Sequence, residues 1–235
     1  MFDNKKILAV ITARGGSKEV SQKNILKIAD KPLLVWTIEE ACKSSYLDRV
    51  ILSSEDDEII NIAQKSGCDV PFVRPERLSD DNVSSTEAIL HALEELHESY
   101  DFVMLLQPTS PLRTVNDIDR CIELCIKSGS PSCVTVTKND KHPLWTYRRN
   151  SAGILQQFIQ TDMDKAQRQD LPEVFVLNGA VYIARVEWFN KVKAFVTNET
   201  IGYVMPEERS LDIDTEFDIL IVDFLLKRRM CERHE

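Results

Sequence analysis

The side chains best suited to chemistry lie in a loop that follows the first apolar run of the chain. The loop is Ala13-Arg14-Gly15-Gly16-Ser17-Lys18, and Lys23 and Asn24 come shortly after it. Adjacent glycines let the backbone approach a ligand and turn several N–H groups the same way, while Arg and Lys supply positive charge. This combination favours binding of a polyphosphate. The spacing is neither that of a P-loop nor that of a dinucleotide-binding loop, so a surface turn with solvated basic residues is the alternative.

Two carboxylates near the end of the chain form a second candidate site. In Asp212-Ile213-Asp214, the alternation of side chains along an extended segment puts both carboxylates on one face. Such a pair could hold Mg²⁺, which takes a few carboxylates and keeps water and substrate phosphates as its other ligands. Alternatively, Asp214 or Thr215 caps the final helix with Asp218, which leaves Asp212 unexplained.

A third candidate is a stiff polar loop in the middle of the chain. It reads Leu105-Leu106-Gln107-Pro108-Thr109-Ser110-Pro111-Leu112-Arg113, an apolar strand that stops at two prolines. The amide of Gln107 could hydrogen-bond a polar ligand group. An ordinary turn stiffened by proline is the alternative.

Apolar periodicity predicts the elements that position these loops. The predicted strands are residues 5–12, 49–53, 101–106 and 133–137, and the predicted helices are residues 33–44, 56–66, 84–99, 115–128, 186–192 and 215–229. This alternation predicts an α/β fold with a mostly parallel sheet, helices on both faces, and ligand-binding loops at the carboxyl ends of the strands. The pattern weakens over residues 138–205, which we interpret as an excursion from the sheet that forms an arm for self-association.

Composition excludes several classes of protein. A net charge of −9 and a pI near 5.1 argue against a nucleic-acid binder, which needs a basic face. The six cysteines form no C-x-x-C pair, and we interpret them as reduced core thiols of a cytoplasmic protein. The apolar run at 219–226 is interrupted by Asp223, so we predict no membrane span. A single domain over residues 1–235 is the expected organisation, with residues 139–204 as its excursion.

Taken together, these motifs resemble those of the acylneuraminate cytidylyltransferases, also called CMP-sialic acid synthetases. The similarity also includes Arg168-Gln169 before Leu171-Pro172, the run Asn178-Gly179-Ala180-Val181-Tyr182, and Asp212-Ile213-Asp214-Thr215-Glu216, in order over nearly the whole chain. The resemblance implies a Rossmann-like three-layer sandwich of the nucleotide-diphospho-sugar transferase type. It also implies transfer of CMP from CTP to the anomeric hydroxyl of a nine-carbon α-keto acid sugar, with release of pyrophosphate.

The resemblance assigns the basic loop to the nucleotide. Arg14, Lys18 and Lys23 would hold the triphosphate of CTP, and Asp212 and Asp214 would bind the Mg²⁺ that bridges the phosphates. The other residues of the nucleotide pocket would be Ala13, Gly15, Gly16, Ser17, Asn24, Arg74 and Ser85.

The resemblance also implies a sugar site and a homodimer. The sugar would be bound by Gln107, Thr109, Ser110, Arg168, Asn178, Tyr182 and Phe195. Arg168 would engage the sugar carboxylate as a planar, two-pronged donor. In relatives the excursion reaches across a homodimer to the neighbouring sugar site, and Phe195 is the candidate for that contact. A core aromatic is the alternative for Phe195, because Trp188 and Phe189 lie near it in an apolar patch.

Three departures from the family pattern leave alternatives open. Glu19 follows Lys18 where relatives commonly have Gly, and Glu55 stands where they usually have Asp. Trp145 stands where some sialic acid enzymes have Lys, so N-acetylneuraminic, legionaminic, pseudaminic and related acids are all candidate sugars. The rival functions are a cytidylyltransferase for Kdo, a sugar nucleotidylyltransferase that uses UTP or ATP, and a nucleotide-binding protein without catalytic activity.

Overall fold

A six-stranded sheet forms the centre of the protein. The structure is a computed structural model that describes residues 2–16, 20–80, 82–159 and 171–232. The strands in chain order are β1 (Ile7–Thr12), β2 (Lys27–Ile28), β3 (Lys31–Pro32), β4 (Arg49–Ser53), β5 (Phe102–Leu106), β6 (Ser132–Lys138), β7 (Tyr147–Arg149), β8 (Leu155–Gln157), β9 (Phe175–Arg185) and β10 (Ile201–Val204). The α-helices are α1 (Leu33–Cys42), α2 (Asp57–Lys65), α3 (Ser85–Glu95), α4 (Val115–Ser128), α5 (Val186–Val192) and α6 (Glu216–Glu232).

The order of strands in the sheet is β10-β6-β9-β5-β1-β4. β1 runs parallel to β4 and β5, β10 runs parallel to β6, and β9 is antiparallel to both β5 and β6. In this register Thr12 lies beside Ser53 and Ile11 lies beside Leu106. β1, β4 and β5 therefore end at the same edge, which brings the loops that follow them together. The predicted α/β fold with a mostly parallel sheet is confirmed.

Helices cover both faces of the sheet, which gives three layers. Apolar residues of α1, α2 and α4 pack with alternate residues of β1 on one face, and residues of α3 and α5 pack with the others on the opposite face. Residues 7–11 of β1 are fully buried, as expected for a parallel strand covered on both sides. A third cluster joins α6 to α1 and to the small β2–β3 hairpin. Every helix in the described part of the chain is too short or too polar to span a bilayer.

The prediction that residues 138–205 leave the sheet is wrong for two strands. β9 occupies a central position between β5 and β6, and β10 forms one edge. The sequence pattern failed here because Asn178-Gly179 interrupts an apolar run as a turn would. In the structure, Gly179 instead adopts a φ of +73° inside β9, near a register shift between Val134 and Val136 of β6. Within the described residues of the segment, the β7–β8 hairpin does form a separate small sheet.

The described cysteines are all free, but they do not share one environment. Cys68, Cys121, Cys125 and Cys133 are buried, as predicted for core thiols. Cys42 and Cys231 are exposed, so the prediction is wrong for these two. Each lies at or near the carboxyl end of a helix, where one side faces solvent.

Candidate active site

The three sequence motifs meet in one cleft at the carboxyl edge of β1, β4 and β5. The cleft has a volume of about 350 Å³. Its lining includes the predicted residues Ala13, Arg14, Gly16, Lys23, Asn24, Arg74, Ser85, Gln107, Thr109, Asp212 and Asp214. The predicted residues Ser17, Lys18 and Arg168, and the departure at Glu19, lie outside the described residues.

Lys23 connects the basic loop to the carboxylate segment. Its Nζ donates a hydrogen bond of 2.7 Å to the carbonyl of Ile213 and lies 3.8 Å from Oδ1 of Asp214. Asn24 supports the loop from the same side, because its Nδ2 donates to the carbonyl of Arg14 at 2.9 Å. Two motifs that are 190 positions apart in the sequence are thus held together by one side chain.

The two glycines of the loop have different surroundings. The N–H of Gly15 donates to Oε1 of Glu55 at 2.8 Å, and a Cβ atom at Gly15 would collide with the carboxylate of Asp56. A Cβ atom at Gly16 would meet no described atom within 4 Å, and Gly16 lines the cleft while Gly15 is not among its lining residues. Gly15 is therefore required for close packing with the start of α2. Gly16 is the glycine that faces the cleft.

Glu55 and Arg74 form an ion pair behind the loop, a contact that sequence reasoning missed. Nη2 of Arg74 lies 2.6 Å from Oε2 of Glu55 and also donates to the carbonyl of Ala13 at 3.0 Å. Oγ of Ser79 donates to the same carboxylate at 2.7 Å. Burial by itself raises the pKa of Glu55, but the hydrogen bonds from Ser79, Gly15 and Arg74 outweigh it and hold the pKa below its ordinary value. The Glu55 departure thus places behind the loop an ionised carboxylate whose charge is balanced by that of Arg74.

Asp212 and Asp214 differ strongly in exposure. Between them, Ile213 is fully buried, and its N–H donates to the carbonyl of Thr109 at 2.9 Å. Oδ1 of Asp212 is buried without a hydrogen-bond partner among the described residues, whereas the side chain of Asp214 is 69% exposed. Burial, with a further contribution from Asp214, raises the pKa of Asp212 despite the hydrogen bond from Thr109 and the charge of Lys23.

The capping alternative for this segment is also correct, and of its two candidate caps the helix uses Thr215, together with Asp218. The N–H and Oγ1 of Thr215 donate to Oδ2 of Asp218 at 2.7 and 2.8 Å, and the N–H of Asp218 lies 3.3 Å from Oγ1 of Thr215. This reciprocal pair satisfies the start of α6. The carboxylates of Asp212 and Asp214 are therefore not needed as caps. An orphaned buried oxygen beside a second carboxylate, in a cleft that also holds cationic side chains, fits a hard cation that shares phosphate ligands.

A second cavity adjoins the cleft on the side of β9. It has a volume of about 280 Å³ and shares Ser85 and Gln107 with the cleft. The rest of its lining is Thr86, Leu105, Tyr182, Ala194, Phe195 and Val196. Burial raises the pKa of Tyr182, so its hydroxyl stays protonated at neutral pH. A ligand that spans both cavities would pass Gln107.

Phe195 packs inside its own chain. Its ring centroid lies 5.8 Å from that of Tyr182 and 4.6 Å from that of Phe189, and the residue is only 6% exposed. Of the two alternatives for Phe195, the structure shows the core aromatic. Its edge forms part of the second cavity, next to Tyr182.

Ser110 and Asn178 are buried next to the site. Neither is among the described residues that line the two cavities. Oγ of Ser110 donates to the carbonyl of Asn178 at 3.2 Å, and Nδ2 of Asn178 donates to Oγ of Ser210 at 2.9 Å. Their hydrogen bonds are thus made within the chain, and their contact with a sugar, expected from the resemblance, stays a prediction.

Arg113 holds the proline loop from below. It is 1% exposed, and its Nη1 donates to the carbonyls of Gln107 at 3.2 Å and Ala180 at 2.6 Å, while Nη2 donates to Oγ1 of Thr37 at 2.6 Å. Burial lowers the pKa of this guanidinium to about 10. Its position after the second proline was visible in the sequence, but its partners were not.

A model of a known protein family matches most of the chain. The family model described as Cytidylyltransferase matches residues 8–174. The chain belongs to the cytidylyltransferase family. The chain is 37% identical over 219 residues to the N-acylneuraminate cytidylyltransferase of Escherichia coli, a match that covers 91% of this chain and 50% of that relative. The resemblance drawn from the sequence motifs is confirmed.

Two further relatives have nearly the length of this cytidylyltransferase. The pseudaminic acid cytidylyltransferase of Campylobacter jejuni is 34% identical over 226 residues, which cover 94% of this chain and 97% of the relative. The CMP-N,N'-diacetyllegionaminic acid synthase of Legionella pneumophila is 30% identical over 227 residues, with the same coverage of 94% and 97%. The chain thus spans half the length of the E. coli protein and almost all of these two.

Solved structures confirm the fold. A CMP:2-keto-3-deoxy-manno-octonic acid synthetase complexed with CTP superposes with a TM-score of 0.71 at 16% identity, over 95% of this chain and 99% of that one. A 4-diphosphocytidyl-2C-methyl-D-erythritol synthase from Anaerococcus prevotii gives a TM-score of 0.66 at 15% identity, over 96% and 100%. The Rossmann-like three-layer architecture is therefore shared with these two proteins at low sequence identity.

Proposed function

We propose that this cytidylyltransferase transfers CMP from CTP to the anomeric hydroxyl of a nine-carbon α-keto acid sugar and releases pyrophosphate. The observation that carries the proposal is the pair of adjoining cavities that share Ser85 and Gln107. One cavity is lined by basic residues and by the two carboxylates, and the other, of about 280 Å³, has no charged side chain in its described lining. The three relatives named above act on sugar acids of this class, which supports the same substrate class here.

The basic residues would neutralise the triphosphate. Arg14 and Lys23 line the cleft, and the family motif adds Lys18, with Ser17 beside it, to the same set. Asn24 keeps the loop in shape through the Arg14 carbonyl, and Gly16 leaves room for a phosphate to approach the backbone. Phosphoryl transfer of this kind depends on positioning and charge neutralisation more than on covalent help from the protein.

Asp212 and Asp214 would hold Mg²⁺ between the protein and the phosphates of CTP. When bound, Mg²⁺ supplies positive charge that offsets the charge developing on the phosphates. The unpartnered Oδ1 of Asp212 supports this assignment, because a buried carboxylate oxygen without a partner is costly unless a ligand satisfies it. Lys23, at 3.8 Å from Asp214, keeps the exposed carboxylate near the cleft.

The sugar would occupy the second cavity. Gln107, at the junction, would orient the attacking anomeric hydroxyl toward the α-phosphorus in the cleft, in line with the departing pyrophosphate. Tyr182 would line the sugar pocket with its protonated hydroxyl. Thr109 would contribute indirectly, through its hydrogen bond to Asp212. Arg168 is proposed, on the family motif alone, as the donor that engages the sugar carboxylate.

We also propose that the protein works as a cytoplasmic homodimer through the arm formed by the β7–β8 hairpin and the start of β9. This arm exposes a set of large apolar side chains that a monomer would leave in water, namely Tyr147, Ile154, Leu155, Phe158, Phe175, Val176 and Leu177. The need for CTP and the free buried thiols favour the cytoplasm. Light scattering and activity measured over a dilution series test the dimer, and a monomer with full activity would contradict it.

The decisive experiment is pyrophosphate release from CTP and Mg²⁺ with a panel of nine-carbon keto acids and Kdo, each compared with a sample lacking sugar. Release with a nine-carbon acid alone supports the proposal and names the sugar. Release with Kdo alone, or with UTP or ATP in preference to CTP, assigns the chain to a rival reaction. The Asp212→Ala variant provides the matched control, since it should lose turnover that depends on Mg²⁺. If no sugar supports release while CTP still binds, the result favours a nucleotide-binding protein without catalytic activity, or an acceptor outside the panel.

A further inference from the structure

Glu55 has both carboxylate oxygens occupied by groups that surround the glycine loop. Oε1 accepts from the N–H of Gly15 at 2.8 Å, and Oε2 accepts from Arg74 at 2.6 Å and from Ser79 at 2.7 Å. Arg74 in turn donates to the carbonyl of Ala13 at 3.0 Å. Glu55 and Arg74 therefore form hydrogen bonds to the backbone on both sides of Arg14, at Gly15 and at Ala13.

We propose that Glu55 is a positioning residue that decides which groups of the glycine loop face the nucleotide. By holding the Gly15 N–H on the back of the loop, Glu55 turns Gly16 and the side chain of Arg14 toward the cleft, and both line it. This inference rests on the proposed use of CTP. It assigns a role to a residue that otherwise looks like a defect, since a carboxylate near a polyphosphate site would repel its ligand.

The charge of Glu55 is compensated within the network. Arg74 is 4% exposed and Glu55 is 15% exposed by their side chains, so their attraction is only weakly screened by solvent. A close pair of opposite charges has little net field at the cleft, which leaves Arg14 and Lys23 to attract phosphate. The hydrogen bonds made by Glu55 keep its carboxylate ionised at neutral pH. The hydrogen bond that it accepts from the N–H of Gly15 is therefore charge-assisted.

A steric contact with Asp56 also holds Gly15 in this position. Asp56 lies against the Cα of Gly15, and its Oδ1 caps α2 by accepting from the N–H groups of Glu58 and Ile59, each at 2.9 Å. The loop is therefore confined between the start of α2 and the Glu55 carboxylate. Glu55 itself is not among the lining residues, so replacing it releases one of these two restraints and leaves the lining side chains in the sequence, with Arg74 losing its carboxylate partner.

The test compares Glu55→Gln, Glu55→Asp and a matched control, Glu98→Gln. Glu98 also bonds to an arginine, with Oε1 2.9 Å from Nη1 of Arg49, but it contacts Lys6 just before β1, at the opposite end of that strand from the cleft. The dissociation constant for CTP is measured by calorimetry without sugar, kcat and KM for CTP are measured by pyrophosphate release, and the melting temperature reports folding.

We expect Glu55→Gln to raise both the dissociation constant and the KM for CTP by about tenfold, the loss typical of one hydrogen bond to a charged group. Glu55→Asp, which keeps the charge, should recover part of this loss, and Glu98→Gln should bind CTP as the wild type does. If Glu55→Gln lowers only the melting temperature and binds CTP normally, or if Glu98→Gln has the same effect on CTP, the inference is overturned.

Ser79→Ala is the second variant, for use if Glu55→Gln does not fold. It removes one donor to Glu55 and the acceptor of Nε of Arg74, but it leaves the contacts of Glu55 with Gly15 and with Nη2 of Arg74. We therefore expect a smaller rise in the dissociation constant, and an unchanged constant would count against the inference. The outcomes also separate this inference from the proposed function. Weaker CTP binding by the variant, in a protein that shows no turnover with any sugar, supports the inference and contradicts the function, whereas normal binding in an active enzyme does the reverse.

Discussion

Replacing Gly179 with alanine should damage the active site more than the fold. Gly179 lies in β9 with a φ of +73°, a conformation that costs a residue with a Cβ atom about 1–2 kcal/mol. The new Cβ would also lie 2.7 Å from Oε1 of Gln107 and 3.2 Å from both Oδ2 of Asp212 and Oγ of Ser110. Because Gln107 has the closest contact, its side chain must move away from the junction of the two cavities.

Gly129 offers a matched control for the backbone cost. It ends α4 with the same φ of +73°, but a Cβ there would meet no described atom within 4 Å. Gly129→Ala and Gly179→Ala should therefore share a loss of about 1–2 kcal/mol from backbone strain, which lowers the melting temperature by roughly 2–8 °C in a chain of this size. Any further loss in Gly179→Ala measures the collision.

Activity should separate the two variants. A displacement of about 1 Å in a group that positions substrate can reduce turnover by about 100-fold, so Gly179→Ala should show a large fall in kcat/KM for the sugar acid. Gly129→Ala should keep wild-type kinetics in the same pyrophosphate-release assay. If Gly179→Ala keeps wild-type kinetics while its melting temperature falls as in Gly129→Ala, the reasoning about Gln107 is refuted.

Three other substitutions test separate parts of the structure. Asp117 is fully buried and accepts two hydrogen bonds from Arg209, at 3.0 and 2.8 Å. Burial by itself raises the pKa of Asp117, but the hydrogen bonds from Arg209 and Thr114 outweigh it, so the stability that its charge contributes is present above about pH 4 and is lost as the pH falls further. Asp117→Asn should therefore cost about 3 kcal/mol in urea unfolding at pH 7 and clearly less at pH 3, and an equal cost at both would contradict this. Asp212→Asn should abolish turnover that depends on Mg²⁺. It should keep or raise the melting temperature at pH 7, because burial raises the pKa of Asp212 and its ionised form is therefore destabilising at that pH. A lower melting temperature would show that the buried oxygen has a partner. Thr215→Ala removes the cap of α6 and should lower stability by about 1 kcal/mol, as measured by the same unfolding, and no change would mean that the cap contributes nothing.

Local patterns predicted the elements whose contacts are local. α1, α2 and α4 show helical periodicity, and the predicted bounds of α4 agree with the structure. α3 is shorter than predicted and ends at Glu95, shortly before His97 takes a positive φ of 50° that no periodicity could reveal. β9 was missed because Asn178-Gly179 is a turn signal in sequence but a strained position within a strand in the structure.

The candidate site was predictable to the extent that it lies at strand ends. The loops after β1 and β5 were placed at one edge by the alternation of strands and helices, and the cleft is there. The supporting contacts were not predictable, because they join residues far apart in sequence: Glu55 with Gly15, and Arg113 with Ala180. No spacing rule links such residues, so only the folded chain shows that they hold the loops in place.

β9 has two halves with opposite environments. Phe175, Val176 and Leu177 are exposed on the arm, whereas the strand from Asn178 onward is mostly buried and carries Tyr182 to the second cavity, the proposed sugar pocket. A strand is stiff along its length, so a contact made by the arm with a second subunit and a contact made by Tyr182 with the sugar bear on one element. In the proposed homodimer, we therefore expect subunit association and sugar binding to be thermodynamically linked. Whatever factor the second subunit adds to sugar affinity, the sugar must add to the affinity between subunits.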